Sequence, residues 1–348
     1  MHLMADARRQ DAGLPKERAD LYARIQHKIG NTPLSRVTVI PVPNGCRIYL
    51  KEEYRNPTGS HYDRQTLPLL RRLEAAGDII PGRTTLWETT TGSSGASFAW
   101  MCRTLGYRAV VMIPKNMPAA RIHQIESYGA EVKLSGEAYI DGLVADLRKQ
   151  WATERHKPDT CFPNHAMVSS DWAWKPMEVL GEEILSQFAA AEGGTRPDCF
   201  VTALGNGISA MGVGTALKNA GALVYGMEPI ESPTVYYKFF PDRYKRKFGS
   251  DQPRFSSHLI YGTGPGAKII FPNIEAIAPK LEDVFHPTKN DVMSIRDRLM
   301  FEELQLVGNS SAACLWACLK LAEEKRNVTI VTIMYDAAWR YLPFERVK

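Results

Sequence analysis

Between residues 47 and 135 strand-like runs alternate with helical ones, and the connections are too short for anything but a layered α/β arrangement. RIYLKEEY (47–54) alternates apolar and polar residues and predicts a strand. QTLPLLRRLEAAG carries leucines at turn spacing and stops at Gly77, which predicts a helix over 61–76. A strand near 84–88, the loop TTTGSSG and a helix through SFAWMCRTLGY come next, then the strand RAVVMIP, the helix ARIHQIESYG and the strand AEVKL. A second series starts after residue 160. It has a helix around 176–190, the strand PDCFVTAL, the loop GNG, the helix ISAMGVGTALKNAG and the strand ALVYGMEP. Helices over 291–304 and 311–324 and the strand VTIVTIMY close it. Such β-α-β series build mostly parallel sheets covered by helices. With 348 residues, the chain is long enough for two domains.

Bulk properties narrow the function classes. A net charge of +5 is mild and fits an anionic small ligand better than a nucleic acid. No apolar run approaches the ~18 residues of a membrane span, and the charged stretch MHLMADARRQDAGLPKERAD lacks the apolar core of a secretory signal. Six cysteines without a CxxC spacing suit a reducing cytoplasm. Cys314 and Cys318 lie one helical turn apart and read as packed thiols, since no further cysteine or histidine accompanies them as a metal ligand.

Three loops stand at strand ends before helices, where open α/β sheets bind ligands and helix N-termini favour anions. In Leu204-Gly205-Asn206-Gly207-Ile208-Ser209 the glycines let backbone approach an anion, and Ser209 adds a hydroxyl. The same stretch also reads as a tight turn with no ligand. Gly205, Gly207 and Ala210, with Glu228 after the next strand, also fit a G-x-G-x-x-A dinucleotide fingerprint. Thr90, Thr91, Gly92, Ser93, Ser94 and Gly95 offer hydroxyl and N–H donors to a carboxylate, or simply cap a helix. Gly308-Asn309-Ser310-Ser311 places a serine hydroxyl at another helix start, where it serves a heterocyclic nitrogen or caps the helix.

Taken in order, these motifs resemble those of the fold type II pyridoxal-phosphate enzymes, the cysteine synthase and cystathionine β-synthase group. The resemblance runs from about residue 28 to 342. It covers IGNTPL, LKEEYRNPTGSHYDR, ETTTGSSGASFAW and MIPKNMPAARIHQIESYGAEV, then GNGISAMGVG, YGMEP, Tyr261-Gly262-Thr263-Gly264, Ser310-Ser311, and Asp336 with Arg340-Tyr341-Leu342. It implies two three-layer α/β domains with mostly parallel sheets, as in the tryptophan synthase β-like architecture. Residues 46–159 would form a smaller mobile domain, and 1–45 with 160–348 a larger one that carries the phosphate loop. It further implies pyridoxal 5'-phosphate as cofactor, a small anionic substrate such as an amino acid, and a homodimer, with no nucleic acid, membrane or metal. Gly205, Asn206, Gly207, Ile208 and Ser209 would hold the phosphate. Ser310 would face the pyridine nitrogen, and Thr90, Thr91, Gly92 and Ser94 would receive the substrate carboxylate. Glu228 matches the family's own strand, so it no longer favours a dinucleotide. Ser93 stands where cysteine synthases have asparagine beside the ring hydroxyl.

The main departure is Tyr62, in NPTGSHYDR, which takes the place of the family's Schiff-base lysine. That lysine carries the cofactor and later moves protons at the substrate carbons. A phenol forms no imine, and with an ordinary pKa of about 10 it is mostly a hydrogen-bond donor at neutral pH. Three readings follow. In the first, an enzyme of amino-acid β-elimination or β-replacement holds the cofactor noncovalently or on another lysine, Lys51 being nearest, with Tyr62 as acid or base. In the second, a pseudoenzyme binds pyridoxal phosphate, an amino acid or a phosphorylated metabolite without turnover. In the third, an enzyme of another class reuses the phosphate cradle. Residues 238–254, KFFPDRYKRKFGSDQPR, read as a solvated surface loop.

Overall fold

Parallel strands are buried on both faces, and the strands here are apolar through most of their length. The computed structural model describes residues 13–136, 140–166, 171–253, 255–264, 266 and 270–342. The first elements are α1 (Lys16–Gln26), β1 (Leu34–Arg36), β2 (Arg47–Lys51), α2 (Asp63–Ala75), β3 (Thr85–Thr89), α3 (Ser93–Leu105) and β4 (Arg108–Pro114). Then come α4 (Ala119–Ser127), β5 (Glu131–Ser135), α5 (Ile140–Glu154), β6 (Thr160–Cys161), α6 (Asp171–Ala191), β7 (Cys199–Ala203) and α7 (Ile208–Asn219). The last are β8 (Leu223–Met227), α8 (Thr234–Phe239), α9 (Pro241–Phe248), α10 (Pro272–Ile277), β9 (Val284–Phe285), α11 (Lys289–Phe301), α12 (Asn309–Glu324) and β10 (Thr329–Ile333). The alternation read from the sequence is present in this order.

The chain divides into two compact units. The smaller comprises the residues up to Gly30 with Asn56–His165, and the larger Asn31–Arg55 with the residues from Ala166 on. The smaller unit holds a four-stranded sheet in the order β5-β4-β3-β6, all parallel. Trp87, Val110, Met112, Leu143 and Leu147 are buried together there, and Phe162 stacks on Trp87 with ring centroids 5.6 Å apart. The larger unit holds a six-stranded sheet, β1-β2-β10-β7-β8-β9, parallel except for β1. In each sheet the strand order reverses once, between β3 and β6 and between β7 and β10. Crevices outside the carboxyl ends of strands at such reversals are where α/β sheets take ligands.

Three expectations need correction. The domain boundary does not fall at residue 46: β2 pairs with β10, Ile48 opposite Ile330, so residues 46–55 go with the larger sheet. A strand's pattern shows that it pairs but does not name its neighbour. Helix α1, expected in the larger domain, is tied to α2 of the smaller unit through Arg18 and Glu74. The segment 238–254 is not simply a solvated loop, because most of α8 and α9 falls on it or just before it. Tyr244 is buried, and Phe248, one turn on, stacks against it at 4.6 Å. Lys247 bends over the rings of Tyr236 and Phe248 to meet His286 Nδ1 at 2.8 Å, and burial holds its pKa below the ordinary lysine value.

The Glu74 cluster shows what anchors α1. Its carboxylate accepts hydrogen bonds from Arg18 Nε and Nη2 (2.5 and 2.7 Å), Tyr22 Oη (2.8 Å) and Tyr107 Oη (2.8 Å). Burial pushes the Glu74 pKa up, but its hydrogen bonds to Arg18, Tyr107 and Tyr22 outweigh that and hold it below the ordinary value. A carboxyl depressed in the folded state contributes stability above its unfolded pKa of about 4.3, and that stability is lost as pH falls through the folded value. Glu74→Gln should therefore destabilise the protein by about 2 kcal/mol at pH 7. The gap should close below the ordinary carboxylate range, as chemical denaturation at pH 7 and at low pH will show.

Candidate functional site

In the larger unit, the loop Gly205–Ser209 joins β7 to α7 at the strand reversal. Gly207 has φ +83°, and a Cβ there would stand 2.7 Å from the Ile274 nitrogen. A Cβ on Gly205 would stand 2.0 Å from the Gly262 carbonyl oxygen. These glycines are needed because 262–263 and 273–274 press against the loop. Asn206 Oδ1 accepts from Ile208 N at 3.1 Å, which shapes the turn and leaves the start of α7 open as an anion cradle. Asn273, against Gly207, is buried, and its amide nitrogen Nδ2 has no protein partner. A buried donor without a partner is costly. A phosphate oxygen would satisfy it, so the loop fits the phosphate of pyridoxal phosphate. The sequence reading missed Asn273, which lies in the first turn of the six-residue helix α10, too short to leave a periodic signal.

Ser310 lies at the start of α12. Ser311 Oγ accepts from Tyr335 N at 2.8 Å, so of the two serines it is Ser311 that is used in tying α12 to the end of β10. Tyr335 Oη lies 2.9 Å from Thr202 Oγ1 and accepts from Ala203 N at 2.9 Å, tying the ends of β10 and β7 together. Glu228 accepts from Val235 N (2.9 Å) and Tyr236 N (2.8 Å) through its two oxygens. It caps α8, so the dinucleotide fingerprint loses its ribose partner.

Lys51, proposed above as a substitute handle, sits in β2 of the larger unit with its side chain fully buried. Its Nζ donates to Thr32 O, Glu183 Oε1 and Gln187 Oε1. Three donors meet three acceptors and the charge is paired, so this is a structural ammonium and not a free amine.

The smaller unit holds Tyr62, Thr90, Thr91, Gly92, Ser93 and Ser94. Asp63 braces the turn before Tyr62, accepting from Thr58 N (2.8 Å) and Thr58 Oγ1 (2.5 Å). Tyr62 then stands at the N-cap of α2, half-buried, its ring tilted against His61 at a centroid distance of 4.2 Å. The other side of its ring meets His165 edge-on at 5.8 Å. Thr90 Oγ1 accepts from Gly92 N (2.7 Å) and Gly95 N (2.9 Å) and pairs with Ser94 Oγ (2.9 Å). The carboxylate loop is thus pre-wired, with the N–H of Gly92 already used. Arg121, buried, donates to Thr91 O at 2.7 Å and lies where a Gly92 side chain would be. Ser93 opens α3.

The sequence reading also missed Glu88 and His165. Glu88 Oε1 accepts from Thr89 N (2.8 Å), and Oε2 accepts from His165 N (3.1 Å) and faces His165 Nδ1 at 3.1 Å. His165 follows a two-residue strand, too short to leave a periodic signal.

Removing the Lys51 ammonium would strand the Glu183 carboxylate and the Thr32 carbonyl. Lys51→Met should destabilise the fold by about 3 kcal/mol and leave pyridoxal phosphate retention unchanged. Thermal melting and native mass spectrometry read the two effects.

A family model described as pyridoxal-phosphate dependent enzyme matches residues 25–336. A cysteine synthase of Staphylococcus aureus is 30% identical over 90% of this chain and 93% of its own length. Cysteine synthase 3 of Caenorhabditis elegans is 31% identical over 91% of this chain and 87% of its own. The solved structure of an O-acetylserine dependent cystathionine beta-synthase from Helicobacter pylori superposes with a TM-score of 0.77 at 25% identity, covering 92% of this chain and 97% of that one. Both the order of the loops and these likenesses lead to one assignment: the chain belongs to the family of pyridoxal-phosphate dependent enzymes, among its cysteine synthase-like, fold type II members.

Proposed function

We propose that this protein carries out β-elimination or β-replacement on an amino acid with pyridoxal 5'-phosphate held noncovalently, Tyr62 standing where the family has its lysine. The observation that supports this reading is that the turn holding Tyr62 is formed while the lysine nearest to it in sequence is engaged elsewhere. The turn before Tyr62 is braced by Asp63, the loops of both units are formed, and the nearest substitute, Lys51, is locked in a buried ion pair. When bound, the cofactor supplies the electron sink for ionising a bond next to the substrate's amino group.

The chain's own residues do the rest. Gly205–Ser209 and Asn273 hold the phosphate against the start of α7. Ser310 gives the ring nitrogen a neutral partner. Thr91 and Ser94 hold the substrate carboxylate, on a loop stiffened by Thr90 and Arg121, and Ser93 stands beside the ring hydroxyl. Binding without turnover is the second reading, and the engagement of Lys51 favours it by removing the nearest amine.

Incubation with pyridoxal phosphate, borohydride reduction and peptide mass spectrometry test the proposal, with native mass spectrometry alongside. The expected result is retained cofactor with no reduced adduct on Tyr62 or Lys51. A lysine adduct would overturn the noncovalent mode, and an absence of retained cofactor would sink the functional reading.

A homodimer in a reducing, cytoplasmic setting belongs to the same proposal. Six free cysteines support the setting. For the dimer, Val39, Phe301, Leu304 and Leu306 are 56%, 73%, 80% and 52% exposed. Glu303 joins them by accepting from Val39 N and Ile40 N. Leu304 has φ +57°, a strained conformation for a leucine, and this exposed apolar surface supports an interface with a second copy. Leu304→Asp should convert a dimer to a monomer in light-scattering chromatography. A wild-type monomer would overturn this part.

A further inference from the structure

The functional reading leaves one task unassigned. The family's lysine both carries the cofactor and moves protons, and a phenol at the N-cap of α2 is a poor base at neutral pH. The smaller unit holds another group suited to the second task. Its strand order reverses between β3 and β6, and the two loops leaving those strand ends are Thr90–Gly95 and Phe162–His165. Glu88 is the last but one residue of the first strand, and His165 lies four residues beyond the end of the second. The Glu88 side chain is 1% exposed and that of His165 8%.

Glu88 accepts two backbone N–H bonds, from Thr89 and His165, which fix its carboxylate in place. A carboxylate only accepts, so the facing Nδ1 of His165 at 3.1 Å carries a proton. A neutral imidazole with its proton on Nδ1 has its lone pair on Nε2. The Tyr62 ring, edge-on at 5.8 Å, and His61 behind it fix the direction of the imidazole. A carboxylate orienting an imidazole is the arrangement by which a histidine serves as a positioned base.

We propose that His165 is the proton-moving catalytic residue of this site, with Glu88 and Tyr62 as positioning residues. The inference rests on the functional reading above. In the step proposed, Nε2 takes the proton from the substrate's α-carbon. The C–H electron pair becomes the second bond between the α- and β-carbons, and the β-substituent leaves with its own bonding pair. The proton on Nε2 passes to the departing group, so nothing is oxidised or reduced.

Two measurements test it. In full-length protein with ¹⁵N-labelled histidine, long-range NMR correlations report the tautomer of His165 without any cofactor. A proton on Nδ1, lost in Glu88→Gln, is the expected result, and a proton on Nε2 in the wild type would overturn the proposal. The second measurement follows exchange of the α-proton of O-acetylserine into D₂O, with pyridoxal phosphate retention checked in parallel. His165→Gln should retain the cofactor and lower exchange at least ~100-fold, and His165→Gly should regain exchange when imidazole is added. Tyr62→Phe keeps the ring and should slow exchange less than His165→Gln. Unchanged exchange in His165→Gln, no rescue by imidazole, or the reverse ranking would overturn the role of His165 alone. A wild type that retains no cofactor overturns the functional reading, and the catalytic role with it.

Discussion

The central strands of both sheets are buried on each face, and that burial decides where chemistry can occur. β4 is buried from Ala109 to Pro114 and β10 throughout, so neither strand has a side-chain position free for polar work. Polar groups are pushed to the strand ends, where helices begin and backbone N–H groups lack partners. The two reversals of strand order then select which ends matter. In the larger unit the selected ends carry the phosphate loop and Tyr335, and in the smaller unit the Thr90 loop and His165. The loops Thr90–Gly92 and Gly205–Gly207, and also Tyr62, His165 and Tyr335, lie on segments after a strand and before any further strand; Glu88 lies within β3, and Asn273 and Ser310 sit at the starts of helices that follow other helices.

Much of this was legible in the sequence, for physical reasons. Gly205 and Gly207 announce a loop in which backbone meets backbone, and the collisions with Gly262 and Ile274 explain them. The buried helices and strands advertised themselves by periodicity. What stayed hidden was everything that depends on pairing at a distance. β2 reads as a strand, but its partner β10 lies nearly three hundred residues on in the chain. Glu88 and His165 are each ordinary in sequence and become a unit only when β6 docks beside β3. The aromatic face of α9 was masked by its basic residues, since KRKF looks solvated until Tyr244 and Phe248 are seen stacked at helical spacing.

Lys51 and Tyr62 show how differently one chain treats a cation and a phenol. An ammonium out of water needs its charge paired and its three donors met, and Lys51 obtains both from Glu183, Gln187 and Thr32. That satisfaction ends its usefulness as a nucleophile, which must be neutral and free to turn. At the N-cap of α2 the helix dipole disfavours positive charge. An amine there is eased toward its neutral, reactive form, and a phenol suits the place because it carries no positive charge at all.

Under the proposed function, with Tyr62 in the place of the family's lysine, two jobs that one side chain does together would separate. Attachment requires a bond that breaks and re-forms, and proton transfer requires only a base with an aligned lone pair. Attachment would then pass to the proposed phosphate cradle, because backbone N–H groups and a buried asparagine amide bind an anion without a covalent bond. Proton transfer cannot pass to them, since they are donors. It needs an acceptor with a fixed direction, and among the described residues at the smaller unit's strand reversal, a histidine held by a buried carboxylate has that property.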